Sequence, residues 1–456
     1  MKSDNKIIAV LGGGESGTGA AVLAKDKGFD VFVSDYGKIP EKYQAVLDAE
    51  GIDWEQGGHS MERILEAGLV VKSPGIAKET PVMRAIAEKG IPVISEIEFA
   101  GRYAGDSKMV CITGSNGKTT TTLLTYHILC AAGIDAGLAG NVGKSLALQV
   151  ARDPHAVYVI ELSSFQLDNM YDFRADIAVL LNITPDHLDR YEYRMENYVD
   201  AKFRILQNQT RADAFVWWND DPVVAGKLCT VTPGATLYPF SEKDGESLAA
   251  GVGADGILRV RTPQGLFEMP RKDLSLPGVH NLYNSMAAAL AARLCGVGDE
   301  VLRRSLSDFG GVEHRLEYIR VRWVNDSKAT NVASTYYALE SMTTPVVLIL
   351  GGKDKGNDYG DILDFVKAKV HRIVAMGLHN EKIVDFFRDV VPVDDTHSLD
   401  DAVAACRAAA RPGDTVLLSP CCASFDLFRS YEDYIAYEDL SAEEQSWLSA
   451  AVSALV

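Results

Sequence analysis

Short apolar runs alternate with longer stretches of helical periodicity nearly from one end of the chain to the other, and many of the runs close on a glycine or polar turn. Strands in that setting are buried on both faces, so the pattern predicts parallel sheets covered by helices on both sides, an α/β fold. In a first unit Ile7 to Leu11 reads as a strand, a helix runs through Lys27, and Asp30 to Ser34 reads as a second strand. A second unit begins at Lys108, with strands at Met109 to Thr113, Val157 to Leu162 and Ile177 to Asn182, and a helix from Thr119 to Ala132 that Gly133 ends. The Gly-, Thr- and Pro-rich stretch from Thr230 to Arg271 predicts a β excursion before a helix around Asn284 to Leu294. A third unit opens near Val312, with strands at Ile319 to Val324, Val346 to Leu350, Arg372 to Met376 and Thr415 to Leu418. The expected domains are therefore 1–107, 108–311 and 312–456, and substrates are expected in clefts between them. A length of 456 residues agrees with three domains of about 150 residues each.

Composition removes several classes of function. No run approaches the ~18 apolar residues that cross a bilayer, and Met1 to Lys6 leads into glycines without the long apolar core of a secretory signal, so a cytoplasmic protein off the membrane is expected. The seven cysteines are scattered without a Cys-x-x-Cys pair, which points to reduced thiols rather than a disulfide framework. A net charge of -18 repels phosphate backbones and argues against nucleic acid as a partner. Small anions remain open, because backbone amides and single lysines hold them inside acidic proteins.

The strongest chemical signal is Thr113-Gly114-Ser115-Asn116-Gly117-Lys118-Thr119-Thr120, set between a strand and a helix. Glycines let backbone N–H groups approach phosphates, the helix N-terminus adds positive potential, Lys118 reaches the outer phosphates and Thr119 suits Mg²⁺. Ile112 stands where the general phosphate-loop pattern has its first glycine. Glu161 and His187 fall at or just beyond two other strand ends, and in a parallel sheet such ends share an edge with the loop. A carboxylate and a neutral imidazole there suit one or two Mg²⁺ ions; read singly, Glu161 could cap a helix and His187 could be an ordinary loop residue.

Lys202 lies in the helical stretch Asn197 to Gln207 on the same face as Tyr198, Ile205 and Leu206. Burial there would favour a neutral, reactive amine, whereas snorkelling would keep its charge in water. The turn Gly12-Gly13-Gly14-Glu15-Ser16-Gly17, with Asp35 closing the second strand, has the form of a dinucleotide fingerprint. It accounts for a pyrophosphate, which a nucleotide sugar supplies as well as NAD does, and a purely structural turn is the alternative. Ser73-Pro74-Gly75 marks a second tight turn. In the third unit, Asn325 to Asn331 and Gly351 to Gly356 are lysine-bearing polar loops at strand ends, suited to phosphates or carboxylates but equally to solvent.

Taken together, Gly114 to Thr119, Glu161-Leu162-Ser163-Ser164-Phe165, Asn182 to Asp189, His280-Asn281, His314-Arg315 and Asp326 to Asn331 resemble the Mur ligase family, in order and over nearly the whole chain. Within it, the short first domain, Lys353 to Asp358 and Ser419 to Asp426 look most like the members that add D-glutamate to UDP-N-acetylmuramoyl-L-alanine. The resemblance implies an N-terminal Rossmann-like domain, a central P-loop-type mononucleotide-binding domain and a C-terminal Rossmann-like domain. It implies an ATP-dependent amide-forming ligase of peptidoglycan precursor synthesis, working through an acyl phosphate, with a monomer expected. Thr119 and Glu161 would hold one Mg²⁺, and His187 with a carbamylated Lys202 the other. ATP contacts would come from Gly114 to Thr120, Asn281, Asn284, Arg315, Asp326 and Lys328. Uridine contacts would come from Glu15, Ser16, Asp35 and Gly75, muramoyl contacts from Asn141 and His187, and glutamate contacts from Thr330, Lys355, Ser424 and Tyr431. The rivals are folylpolyglutamate synthase, a Mur ligase adding another amino acid, a nucleotide-sugar-binding regulator without turnover, and an NAD-dependent dehydrogenase, which would leave the second phosphate loop unexplained.

Overall fold

The apolar runs become strands buried along most of their length, as their lack of alternation requires. The computed structural model describes residues 6–276, 278–309, 317–320, 323–326, 329–354, 356–411 and 413–422. The chain is α/β with three domains, and among the described residues each domain carries one sheet. The chain also divides into two compact units: Met1–Ile183, Arg190–Leu274 and Tyr283–Phe309, and Thr184–Asp189, Ser275–Leu282 and Gly310–Val456.

The first unit holds two sheets. In the first, β1 (Ile7–Leu11), β2 (Asp30–Asp35), β3 (Asp53–Gln56), β4 (Leu69–Lys72) and β5 (Val93–Ser95) are parallel in the order β3-β2-β1-β4-β5. Strand order reverses at β1, so the loops after β1 and β4 lie side by side, the usual place for a ligand in an open α/β sheet. Their approach is close: a Cβ on Gly12 would stand 2.4 Å from Ser73 Oγ. In the second sheet, β6 (Lys108–Thr113), β7 (Ala136–Gly140), β8 (Val157–Glu161), β9 (Ile177–Leu180), β10 (Ala214–Trp218) and β11 (Thr236–Lys243) are parallel. Here β6 lies between β8 and β9. The β excursion adds β12 (Ala250–Val252), β13 (Ile257–Thr262) and β14 (Gly265–Pro270), which run antiparallel to one another at the sheet's edge.

The helix Glu15–Asp26 packs against the helix Leu146–Arg152 of the second domain, and Gly19 makes the approach possible, since a Cβ there would meet Ser145 Oγ at 2.0 Å. Two carboxylates of the first domain meet the start of that second helix. Glu15 accepts from Ser145 N at 3.1 Å, and Glu96 accepts from Ser145 Oγ and Ala147 N at 2.6 Å each. Burial pushes Glu96 up to about 7 despite these donors. Nearby, the buried Glu98 accepts from Tyr171 N at 3.0 Å and Phe173 N at 2.9 Å.

The second unit is built on β15 (Glu317–Arg320), β16 (Trp323–Asn325), β17 (Val346–Gly351), β18 (Val370–Met376), β19 (Val393–Thr396) and β20 (Thr415–Cys421), in the order β15-β16-β20-β17-β18-β19. The single strand expected from Ile319 to Val324 is instead divided between two antiparallel strands, β15 and β16. On β17, Val346, Leu348 and Leu350 pack into one core cluster and Val347 and Ile349 into another, so this sheet is covered on both faces. The helix expected around Asn284 begins earlier, at Val279.

Candidate phosphate-binding site

The loop between β6 and the helix Lys118–Ala131 needs its glycines. Gly114 has φ 157° and Gly117, the helix N-cap, has φ 83°. A Cβ on Gly117 would lie 2.2 Å from Asn284 Oδ1 and 3.2 Å from Leu181 Cδ1. Gly117→Ala is therefore expected to weaken nucleotide binding at least tenfold and to cost ~1–2 kcal/mol of stability. Equilibrium titration with a fluorescent ATP analogue, beside a denaturant melt, checks both, and wild-type affinity would show that the loop tolerates another shape.

The loop's frame is set by Asn182, just beyond β9. Its Oδ1 accepts from Asn116 N at 2.9 Å, its Nδ2 donates to Asn116 O at 3.0 Å, and its carbonyl accepts from Ser115 N at 2.9 Å. Lys118 Nζ folds back to donate to Gly114 O at 3.0 Å and Ser115 O at 2.9 Å. The Thr119 hydroxyl has no hydrogen-bond partner among the described residues. Asn284 is buried and accepts from Thr121 Oγ1 at 3.3 Å. Sequence reasoning quoted Asn182 within a motif and gave it no role; its signal was a lone amide immediately after a buried strand.

Glu161 ends β8 beside the loop and is 1% exposed. One oxygen accepts from Asn141 Nδ2 at 3.0 Å, while Oε2 is buried without a partner. It caps no helix: Ser163 caps the next one, Ser164–Leu167, in a reciprocal box with Gln166. A buried carboxylate oxygen without a donor is costly unless a cation meets it. Among the described residues no group of three His, Cys, Asp or Glu side chains forms a ready cation site. Mg²⁺ beside phosphates needs no such group, since it takes one or two protein oxygens and completes its shell with phosphate and water. Glu161 Oε2 and the Thr119 hydroxyl fit that demand.

Lys202 is buried rather than snorkelling: it is 1% exposed, near the end of the helix Met195–Phe203, with the short helix Arg204–Leu206 following. Its Nζ donates to Gly114 O at 2.8 Å and sits 4.6 Å from the centroid of the Tyr198 ring. Tyr198 OH in turn lies 3.1 Å from Ser115 Oγ. Two lysine ammoniums, those of Lys118 and Lys202, thus share one carbonyl.

His187 lies in Thr184–Asp189, which groups with the second unit. It has φ 51°, an uncommon conformation for a residue with a Cβ. Asp186 braces it, accepting from His187 N at 2.9 Å and lying 3.6 Å from Nε2.

At the glycine turn of the first domain, Asp35 is occupied on both oxygens, by Gly13 N and Gly37 N at 2.7 Å each. Glu15 receives Tyr43 OH at 2.9 Å as well as Ser145 N, so its carboxylate braces the domain contact. Ser16 is half-buried in the first turn of its helix, and Gly75 is exposed beyond β4. In the second unit, Asp326 is buried, accepting from Ser419 Oγ at 3.2 Å, and Asn281 is 9% exposed. Thr330 is half-buried just before Asn331, which caps the helix Val332–Ser341. Arg315, Lys328, Lys355, Ser424 and Tyr431 lie outside the described residues.

A phosphate loop at the switch point of a parallel sheet, flanked by an unmet carboxylate and a buried lysine, defines a nucleotide-using α/β protein. Comparisons narrow the class. The chain matches the MurD-like N-terminal domain of Mur ligases at residues 6–95, the Mur ligase middle domain at 112–292 and the Mur ligase glutamate ligase domain at 314–422. It is 60% identical over 434 residues to UDP-N-acetylmuramoylalanine--D-glutamate ligase of Bacteroides fragilis, covering 94% of this chain and 97% of the relative. It is 54% identical over 432 residues to the protein of that name from Porphyromonas gingivalis, covering 93% and 96%. The fold is similar to that of a pseudomurein peptide ligase type C from Methanothermus fervidus, with a TM-score of 0.61 at 19% identity over 99% of this chain and 100% of the other. This chain belongs to the Mur ligase family, whose members are ATP- and Mg²⁺-dependent enzymes that form amide bonds.

Proposed function

We propose that the chain joins D-glutamate to the L-alanine carboxylate of UDP-N-acetylmuramoyl-L-alanine, at the cost of ATP, in the cytoplasmic stage of peptidoglycan precursor synthesis. The choice of amino acid and acceptor is supported by the names of the relatives at 54% to 60% identity over more than nine-tenths of the chain. The ATP chemistry is supported by one observation above the rest: the buried, unpartnered Glu161 Oε2 beside the phosphate loop.

The precursor's carboxylate attacks the γ-phosphorus of ATP, and ADP leaves. Backbone N–H groups of Gly114 to Thr120 hold the phosphates, and Lys118, released from Gly114 O and Ser115 O, follows the charge that develops on the transferring group. Two Mg²⁺ ions, one held by Thr119 and Glu161 and one by His187 and carbamylated Lys202, would supply further positive charge there. The amine of D-glutamate then attacks the acyl phosphate carbonyl, loses a proton, and the tetrahedral intermediate expels phosphate. Asn281, Asn284, Arg315, Asp326 and Lys328 are assigned to ATP. Glu15, Ser16, Asp35 and Gly75 are assigned to uridine, Asn141 and His187 to the muramoyl part, and Thr330, Lys355, Ser424 and Tyr431 to glutamate. Domain boundaries at 107/108 and 311/312 belong to the same proposal.

The test is phosphate release from ATP with Mg²⁺ and the UDP precursor. D-glutamate is expected to support it, and L-glutamate, L-lysine, D-alanine or no amino acid to give less than about a hundredth of that rate. Release with a different amino acid moves the substrate, and none with any amino acid removes the ligase reading.

A further inference from the structure

The loop Ser73 to Ile76 forms one wall of the switch point in the first sheet, pressed against Gly12. Three of its four carbonyls are taken by two cations. Lys72 Nζ donates to Ser73 O at 3.1 Å and Ile76 O at 2.9 Å, and Arg190 Nη1 donates to Gly75 O at 3.3 Å. The two come from different domains: Lys72 ends β4, while Arg190 belongs to the short helix Leu188–Tyr191, three residues beyond His187. Lys72 is 7% exposed, and among the described residues neither cation has a carboxylate within 4.0 Å. The Arg190 guanidinium lies over the Phe165 ring, 4.6 Å from its centroid, which fixes its direction. A cavity of about 470 Å³ beside them is lined by Lys72, Phe165, Asp168, Arg190, Tyr191 and Arg204, among others, so the loop has no packed bed beneath it. A second tie runs alongside, from Lys78 Nζ to Glu192 at 2.9 Å, but both partners are exposed and it contributes little.

A buried ammonium with no carboxylate within 4.0 Å is expensive, and here Lys72, with the half-buried Arg190, serves backbone carbonyls of one loop. We propose that Lys72 and Arg190 are positioning residues for the UDP precursor, which set the shape of the loop Ser73 to Ile76. The proposal rests on the reading that Gly75 faces the precursor. It also gives the precursor site a pH dependence. Burial, helped by the Arg190 charge and opposed by Asp168, lowers Lys72 to about 8. The other charged groups around this space are Arg204, Lys78, Glu79 and Asp200, and Tyr191 OH is engaged by Asp168 at 3.0 Å. Below about 8 the ammonium holds both carbonyls with full charge; as pH rises through that value the hold weakens.

The test is calorimetric binding of UDP-N-acetylmuramoyl-L-alanine to the full chain, with steady-state KM for precursor and for ATP, in wild type, Arg190→Ala, Lys72→Met and Lys72→Arg. Arg190→Ala and Lys72→Met are each expected to weaken precursor binding about tenfold, the worth of a charged hydrogen bond, with KM for ATP within about twofold of wild type. Wild-type affinity is expected to fall as pH rises past 8, and Lys72→Arg to remove that fall. Unchanged precursor affinity in both Arg190→Ala and Lys72→Met overturns the proposal, as does an equal loss for precursor and ATP, which would mark a general structural role. A wild-type protein that binds no precursor overturns the functional reading itself. Arg190 is half-buried, so its variant is expected to fold even if Lys72→Met does not.

Discussion

Glu161→Gln is expected to lower turnover about a thousandfold while leaving the melting temperature unchanged or raised. The two effects separate because the carboxylate is poorly served by the folded protein. It is 1% exposed, with one oxygen bonded to Asn141 Nδ2 and the other without a partner. An ion there without compensation costs folding energy, and a neutral amide of the same shape costs less while its carbonyl still accepts from Asn141. Keeping the carboxylate is then a trade of stability for function. Phosphate-release kinetics beside calorimetric melting of both proteins make the comparison. A variant that loses activity and stability together would make Glu161 a structural brace, and one with wild-type turnover would remove it from metal binding.

That pairing marks where the sequence was legible and where it was not. Strand runs such as Val157 to Glu161 and Val346 to Gly351 were readable because burial on both faces leaves no polar alternation to confuse them. The phosphate loop was readable because Gly114 and Gly117 occupy backbone conformations that other residues resist, which forces a local signature. The unpartnered oxygen of Glu161 and the clamp formed by Asn182 depend on which strands neighbour β6, and no local pattern encodes strand order. Likewise Lys72 reads as an ordinary strand-end lysine until Arg190, more than a hundred residues away, is found on the same loop. The reversal that splits 317–325 into β15 and β16 was hidden because no glycine, proline, asparagine or aspartate stands between Arg320 and Trp323 to mark a turn.

Lys202→Met is expected to lose activity about a thousandfold while remaining folded, and the reason lies in the company the lysine keeps. Its ammonium and that of Lys118 both donate to Gly114 O, at 2.8 Å and 3.0 Å, inside a site where Lys202 is 1% exposed. Two like charges on one carbonyl repel each other, and the burial of Lys202 leaves little water to screen them. A neutral amine can add CO2, forming an N–C bond and releasing one proton. The product would be a carbamate, as proposed above, whose negative charge would attract Lys118 instead of repelling it. The same step turns a group with no metal-binding oxygen into one with two, which an ammonium cannot offer to Mg²⁺. Methionine fills nearly the same volume, so the core around Tyr198 and Ile205 should hold while this chemistry is lost. In Lys202→Ala the space left behind should admit formate or acetate, and partial recovery of turnover with either, absent in Lys202→Met, would place a carboxylate at that position. Removing CO2 from wild-type protein should lower its rate, and bicarbonate should restore it. Full activity in Lys202→Met under CO2-free buffer would sink the carbamate and leave Lys202 as a support for the loop.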